Sequence, residues 1–309
     1  MKTYASELQD FSDLLQAAAQ SRATRAAIVE KDYYLTRALR ALVGSHSGQF
    51  VLKGGTSLSK GWQLLQRFSE DIDLLLRDEA NSGKAAKHTR LKKCSGTIEQ
   101  TEGFKSSEVR DSETGIHRAV AFTYSSIATD LPGLSKTVIL EAGYRGNTAQ
   151  AERRPIRSMV AEYATAHGQT GLAADLNPFD IEVQDLRRTF VEKLFAAHAA
   201  YTKDFAAAGK ARHYYDLSEL CKRPEVSKFV GTDQYRERVT EVREFSRETF
   251  RGQALPEANS FAASPAFQPN AEGLRALERN YRADADFFFA AQPPISNVLQ
   301  IIAKLLPKL

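Results

Sequence analysis

The chain has 309 residues, of which 42% are hydrophobic and 26% are charged. This composition is ordinary for a globular protein, and it excludes a mainly disordered chain, a collagen-like chain and a disulfide-stapled miniprotein. At about 150 residues per domain, the length favours two domains. The net charge is +4, from 42 basic and 38 acidic side chains, and so mild a bias neither demands nor excludes a nucleic-acid partner.

Cysteine content and hydropathy indicate the cellular compartment of the protein. Cys94 and Cys221 are the only cysteines, which is too few for a disulfide framework or a thiolate zinc site. No apolar run approaches the roughly 20 residues that span a bilayer, and the N-terminal segment carries acids where a signal peptide has an apolar stretch. We therefore expect a cytoplasmic protein without a membrane partner.

The first half of the chain mixes helix and strand patterns. Apolar residues at helical spacing predict helices over residues 5–43, with a second helix from about Thr24 to Val43. Short apolar runs bounded by turn residues predict five strands. These runs are residues 49–53, 70–76, 119–125, 136–144 and 179–184.

Helical patterns dominate after about Asp185. They are rich in alanine, leucine and charged residues, and a proline-containing loop over residues 252–270 interrupts them. The last predicted helix runs from Ile295 to Leu306. The sequence therefore predicts an α+β protein, with a small mixed sheet in residues 1–185 and a helical domain over residues 186–309.

A Gly-Gly turn followed by a helix start is the first part of the strongest pattern. Gly54 and Gly55 let the backbone approach a ligand closely. A helix is expected to begin at once, capped by Thr56 or Ser57, and its free N–H groups and dipole suit a phosphate. Three residues give this predicted helix an apolar side: Leu58, Trp62 and Leu65.

Acids on the next strands form the second part of the pattern. Asp71 and Asp73 are two residues apart in a predicted strand, so both side chains point to the same face of the sheet. Glu141 is the only acid in the apolar run from Val138 to Gly143, and a buried glutamate is costly unless it is paired or binds a metal. We expect it to join Asp71 and Asp73. Oxygen ligands of this kind suit Mg²⁺ that also contacts substrate phosphates.

These motifs resemble the AbiEii family of nucleotidyltransferases, the toxins of type IV toxin–antitoxin and abortive-infection systems, within the DNA polymerase β-like superfamily. The matches follow the family's order from about residue 28 to residue 220. They are Glu30–Tyr33 (Glu-Lys-Asp-aromatic), Gly54–Thr56 with Asp71 and Asp73, Glu192–Lys193 in a helix, and Arg212–Leu217 in a basic segment that ends in Asp-Leu. Many relatives have Lys-Asp where this chain has Arg212-His213, while Asp216 is in place.

The resemblance implies a polymerase β-like nucleotidyltransferase core and an active-site cleft completed by the helical domain. An NTP binds with Mg²⁺ or Mn²⁺, and its nucleotide is transferred to an acceptor hydroxyl with loss of pyrophosphate. In characterised toxins of the family the acceptor is the 3′ end of tRNA, which blocks aminoacylation and so translation. A separately encoded antitoxin neutralises the toxin.

The resemblance also implies roles for single residues. Asp71 and Asp73 would be the metal ligands, and Glu141 either a third ligand or the base for the attacking hydroxyl. The triphosphate would be held by Gly54, Gly55, Thr56 and Ser57. Lys193 would meet phosphate charge, and Asp216 would orient Lys193 or the acceptor.

Several residues keep a second interpretation. Glu141 can pair with an arginine inside the fold, and Asp216 can be a surface acid or a helix cap. Arg67 can contact phosphate or pair with Glu70. Lys31 and Asp32 can form a solvated helix face. The basic residues from Lys84 to Lys93 can follow an RNA backbone or be a solvated face.

Two other functions are compatible with the same motifs. The chain can be a nucleotidyltransferase that modifies a protein or a small molecule. It can also be a nucleotide-binding sensor module in a defence system, which holds a nucleotide without transferring it.

Overall fold

The structure is a computed structural model, which describes residues 2–78, 82–112, 115–129, 132–144, 146, 148, 150–207, 209–249, 252, 254–257 and 260–309. The chain forms two compact units, Met1–Gln184 and Asp185–Leu309. All strands of the described residues lie in the first unit, and the second unit is helical. The α+β class predicted from the sequence is confirmed.

Seven strands form one mixed sheet in the first unit. They are β1 (Phe50–Lys53), β2 (Asp71–Leu76), β3 (Phe104–Asp111), β4 (His117–Tyr124), β5 (Thr137–Gly143), β6 (Ala151–Ile156) and β7 (Phe179–Gln184). Their order is β3-β4-β5-β2-β1-β7-β6. β2 pairs with β5 and β1 with β7 in parallel, and the other neighbours are antiparallel. The two strands that flank the glycine turn, β1 and β2, are therefore inner strands.

The five strands predicted from the sequence are all present. β3 and β6 were not predicted, because nearly every position of β3 is polar or exposed and β6 reads Ala-Glu-Arg-Arg-Pro-Ile. Both are edge strands. An edge strand has one neighbour and tolerates charged side chains and proline, so it lacks the apolar pattern that marks an inner strand.

The described residues of the first unit contain five α-helices. They are α1 (Phe11–Ser21), α2 (Ala26–His46), α3 (Gly54–Thr56), α4 (Lys84–Glu99) and α5 (Met159–Ala166). α2 and α4 contact the sheet, and α1 and α5 contact α2. Every residue of α2 from Ala27 to Leu39 is buried. Charged residues in that stretch must therefore find partners inside the protein.

One face of the sheet is accessible to solvent at the β4–β5 side. Successive strand residues point to alternate faces. Val120, Phe122, Val138 and Leu140 are buried in the core, whereas the alternate residues Ala119, Ala121 and Ile139 are only partly buried. The accessible face carries the side chains that neighbour the acids of β2.

The second unit consists of packed helices. They are α6 (Leu186–Asp204), α7 (Arg212–Cys221), α8 (Pro224–Ser227), α9 (Asp233–Thr249), α10 (Ala271–Arg282) and α11 (Ile295–Ala303). α6 contacts α7, α8 and α9, and α7 contacts α11. α11 ends at Ala303, three residues before the predicted end. Within the described residues, no helix is both long enough and apolar enough to cross a membrane.

Candidate active site

A tight turn joins β1 to α3. Gly54 has a φ of +69°, a left-handed conformation that side chains disfavour, and a Cβ there would overlap the carboxylate of Asp73. A Cβ on Gly55 would collide with the Ser69 hydroxyl and lie 3.1 Å from the Arg67 guanidinium. Glycine at both positions therefore lets the backbone pack directly against side chains of residues 67–73.

The helix after this turn is shorter than predicted. α3 continues as one π-helical turn over Ser57–Gly61, and Gln63, with a φ of +51°, follows its end. Of the apolar side predicted for this helix, only Leu58 lies within it. The longer helix predicted through Trp62 and Leu65 is wrong because the chain turns into a loop after Gly61.

Thr56 and Ser57 are fully buried. Neither caps the helix, contrary to the prediction, because both hydroxyls bond elsewhere. The Thr56 hydroxyl donates to the backbone carbonyl of Asp71, and the Ser57 hydroxyl donates to the carbonyl of Gly54 at 2.9 Å. Thr56 thus ties the turn to the first residue of β2. Its role and that of Ser57 in holding a triphosphate stay predictions.

The accessible face of the sheet carries Asp71, Asp73 and Glu141. Asp73 is in register with Glu141 across the parallel β2–β5 pair, and Asp71 precedes Asp73 by two residues on the same face. The two aspartates are partly buried. Glu141 is exposed, and its predicted burial is wrong because the even-numbered residues of β5 face the core.

Burial and the neighbouring acids raise the pKa of Asp71 to about 6. Burial is the largest cause, followed by the negative charges of Asp73, Glu70 and Glu141. Lys31 opposes the shift. Excess negative charge of this kind is what a bound cation would neutralise.

The acids fit Mg²⁺ that arrives with a nucleotide. Within the described part of the chain, no group of three or more His, Cys, Asp or Glu side chains forms a preformed metal site. Mg²⁺ does not need one, because it usually takes one or two carboxylates and completes its shell with water and substrate phosphates. Asp71 and Asp73 supply two such carboxylates beside the glycine turn.

Arg67 lies beside the same turn. Its side chain is buried, its Nη1 donates to the carbonyl of Phe68 at 2.8 Å, and its Nη2 lies against Gly55. Both interpretations of Arg67, phosphate contact and pairing with Glu70, stay open.

In the second unit, α6 and α7 bring Lys193 and Asp216 together. Lys193 Nζ lies 2.6 Å from Asp216 Oδ2, and both side chains are buried. The interpretation of Asp216 as a surface acid is therefore wrong. It is not a helix cap either, because it lies inside α7. Whether the pair acts in catalysis stays a prediction.

Three consecutive charged residues on α2 form a triplet whose burial the sequence analysis missed. Glu30, Lys31 and Asp32 are each 1% exposed, so the interpretation of Lys31 and Asp32 as a solvated helix face is wrong. The only sequence signal is that apolar residues surround the triplet on every side of the helix, as in Ala26–Leu39. Such a helix is enclosed, and its charges are paired.

Basic residues that were candidates for RNA contact lie on α4. Lys84, Lys92 and Lys93 are exposed, while Lys87 is partly buried and lies 2.5 Å from Asp78. The exposed lysines form a solvated surface. Contact of this surface with RNA stays a prediction.

Comparison with known proteins places these residues in a family. A family model described as "Nucleotidyl transferase AbiEii toxin, Type IV TA system" matches residues 37–303. No curated protein matches the chain. Among solved structures, the chain is similar to MenT4, nucleotidyltransferase toxin Rv2826c from Mycobacterium tuberculosis H37Rv, with a TM-score of 0.62 and 18% identity over 96% of this chain and 90% of that chain. The structural likeness shows a shared fold. Because the family model spans most of the sequence, the chain belongs to the AbiEii family of nucleotidyltransferase toxins of type IV toxin–antitoxin systems.

Proposed function

We propose that the protein transfers a nucleotide from an NTP to the 3′ end of tRNA in a Mg²⁺-dependent reaction, and that this blocks translation. A separately encoded antitoxin neutralises it. Membership of the AbiEii family supports nucleotide transfer and toxicity. The tRNA acceptor is what the family resemblance of the motifs implies.

One observation carries the proposal: the acids that lie beside the glycine turn. Asp73 is in register with Glu141, and its carboxylate packs against Gly54. Burial, together with the charges of the neighbouring acids, raises the pKa of Asp71 to about 6. A turn shaped for close approach next to excess negative charge favours a ligand that combines phosphates with divalent metal.

The proposed reaction is an in-line displacement at phosphorus. The acceptor hydroxyl oxygen bonds to the α-phosphorus, the bond from that phosphorus to the bridging oxygen breaks, and pyrophosphate leaves. The hydroxyl proton passes to Glu141 or to water. Asp71 and Asp73 would hold Mg²⁺, which would supply positive charge to stabilise the phosphates during transfer.

The remaining site residues bind phosphate or orient a residue that does so in this proposal. Backbone N–H groups of Gly54, Gly55, Thr56 and Ser57 hold the triphosphate, and Arg67 adds a cation beside the turn. Lys193 stabilises phosphate charge, and Asp216 orients Lys193. The 2.6 Å contact between the last two side chains supports the orienting role.

Labelling identifies the nucleotide and the acceptor. The purified protein is incubated with each of the four α-labelled NTPs, Mg²⁺ and either total tRNA or a whole-cell extract. The proposal predicts label in tRNA, and the label should be lost after removal of the 3′-terminal nucleotides. Label in a protein or a small molecule would move the acceptor to another class. A nucleotide that binds tightly and is never transferred would favour the sensor function.

A further inference from the structure

We propose that Lys31 and Asp32 are positioning residues that set the placement of the glycine turn relative to the metal-binding strand. The inference rests on the proposed function, because it assigns these two segments to phosphate and metal. Neither residue belongs to the turn or to the strand. Both lie on α2, at consecutive positions.

Lys31 contacts the residue that precedes β2, the strand of the proposed metal ligands. Its Nζ lies 2.9 Å from Glu70 Oε1, and Glu70 directly precedes Asp71. The same Nζ donates to the Ser135 hydroxyl at 3.2 Å, which lies just before β5. A single buried cation thus fixes the starts of both strands that carry the acids, β2 and β5.

Asp32 holds the helix of the glycine turn. Its Oδ1 lies 2.6 Å from Nζ of Lys60, on the π-helical turn that follows Gly54–Thr56. Its Oδ2 accepts the backbone N–H of Met159 at 2.7 Å, which is the first residue of α5. Both carboxylate oxygens of Asp32 therefore have partners inside the protein, and the charged partner, Lys60, belongs to the turn segment.

Glu30 offers a matched control for Lys31 and Asp32. It is as buried as its two neighbours, and its carboxylate accepts the Ser126 hydroxyl at 2.6 Å and the Ile127 N–H at 2.7 Å. These contacts hold the segment after β4. The hydrogen bonds of its side chain go to residues 126–128, so Glu30 matches Lys31 and Asp32 in burial but contacts a different segment.

The energetics favour positioning over stability as the reason for these pairs. Removing charges from water costs several kcal/mol per ion, and a buried pair seldom gains much net stability over apolar residues of the same volume. What a buried pair does provide is one defined geometry for the groups that it joins. Here one pair joins the start of β2 to α2, and the other joins the turn segment to α2. Together they set the distance between the proposed phosphate-binding turn and the proposed metal ligands.

Three variants test the inference: Lys31→Met, Asp32→Asn and, as the matched control, Glu30→Gln. The Mg²⁺ concentration for half-maximal nucleotide transfer is measured for each, with the NTP that the wild type uses best, and unfolding in urea is measured in parallel. We expect Lys31→Met and Asp32→Asn to raise that concentration about tenfold or more, as loss of an outer support of a metal ligand does. Glu30→Gln should stay within about twofold of wild type at a comparable loss of stability.

A double variant covers the case in which a lone buried charge unfolds the protein. Asp32→Asn with Lys60→Met removes both charges of one pair, so the fold is retained, and it should show the same Mg²⁺ shift. The inference is overturned if the folded variants need no more Mg²⁺ than the wild type, or if Glu30→Gln shifts the requirement equally. A wild type that transfers no nucleotide to any acceptor contradicts the proposed function itself, and the inference falls with it.

Discussion

Gly54 connects the turn to the candidate metal ligand Asp73. Its positive φ is one reason for glycine, and the Asp73 carboxylate that occupies the place of a Cβ is the other. The spacing of Gly-Gly and Asp-x-Asp in the sequence therefore reflects a direct contact between backbone and carboxylate. Any side chain at residue 54 must move Asp73.

Replacing Gly54 by alanine should impair transfer more than stability. Strain at a positive φ costs about 1–3 kcal/mol, and displacing a reacting group by about 1 Å can lower a rate about 100-fold. Transfer rates and urea unfolding measure the two effects. Gly44→Ala is the control, since Gly44 lies in α2 with nothing within 4 Å of its Cβ position. It should keep the wild-type rate, and a Gly54→Ala variant that also keeps it would disprove the contact's importance.

The sequence predicted the location of single residues only where they belong to a motif. The shared face of Asp71 and Asp73 followed from their spacing, because strand periodicity decides which side chains share a face. The turn at Gly54 followed from the Gly-Gly pair. The exposure of Glu141 did not follow, since an apolar run does not say which of its two faces is covered. The burial of Lys31 brings it to Glu70 and Ser135, which are distant in sequence, and the apolar residues around it on α2 are its only local signal.

At the scale of elements, the sequence identified inner strands and long amphipathic helices. The apolar pattern marks β1, β2, β5 and β7, which have a hydrogen-bonded strand on each side and carry buried apolar residues. Edge strands β3 and β6 lack that signal. α4 lacks an apolar pattern, because polar residues dominate it and only a few residues, such as Leu91 and Ile98, are buried.

α6 contains a histidine whose burial makes the stability depend on pH. His198 is 7% exposed, and its Nδ1 lies 2.8 Å from the Ser264 hydroxyl. Burial lowers the pKa of His198, Arg243 lowers it further, and a backbone hydrogen bond with Leu255 opposes this. The folded state therefore prefers the neutral imidazole.

The sign of the pH effect follows from linkage. The unfolded histidine binds a proton below about pH 6.5, whereas the folded one resists it. The stabilisation is complete above that pH and is lost as the pH falls towards the lower folded pKa. The wild type should therefore lose stability relative to His198→Gln between pH 7.5 and pH 5.5, measured by urea unfolding. A difference that stays constant, or that grows in acid, would contradict this account.

At the scale of the whole molecule, the family model spans both units, from residue 37 to residue 303. The glycine turn and the acids lie in Met1–Gln184, and the Lys193–Asp216 pair lies in Asp185–Leu309. The fold class and the family followed from the order of motifs along the chain. The acceptor could not follow, because the residues that select it need not belong to any motif.

The central claim is that Asp73 serves nucleotide transfer and that transfer causes toxicity. The most direct test compares wild type with Asp73→Asn, using label transfer to tRNA and growth inhibition on expression. Asp78→Asn is the matched control, as Asp78 lies just beyond the other end of β2 and pairs with Lys87. Losing a ligand of the metal should lower transfer about 100-fold or more and abolish growth inhibition, while the control keeps both. Growth inhibition that persists after transfer is lost, or transfer that survives in Asp73→Asn, would contradict the account.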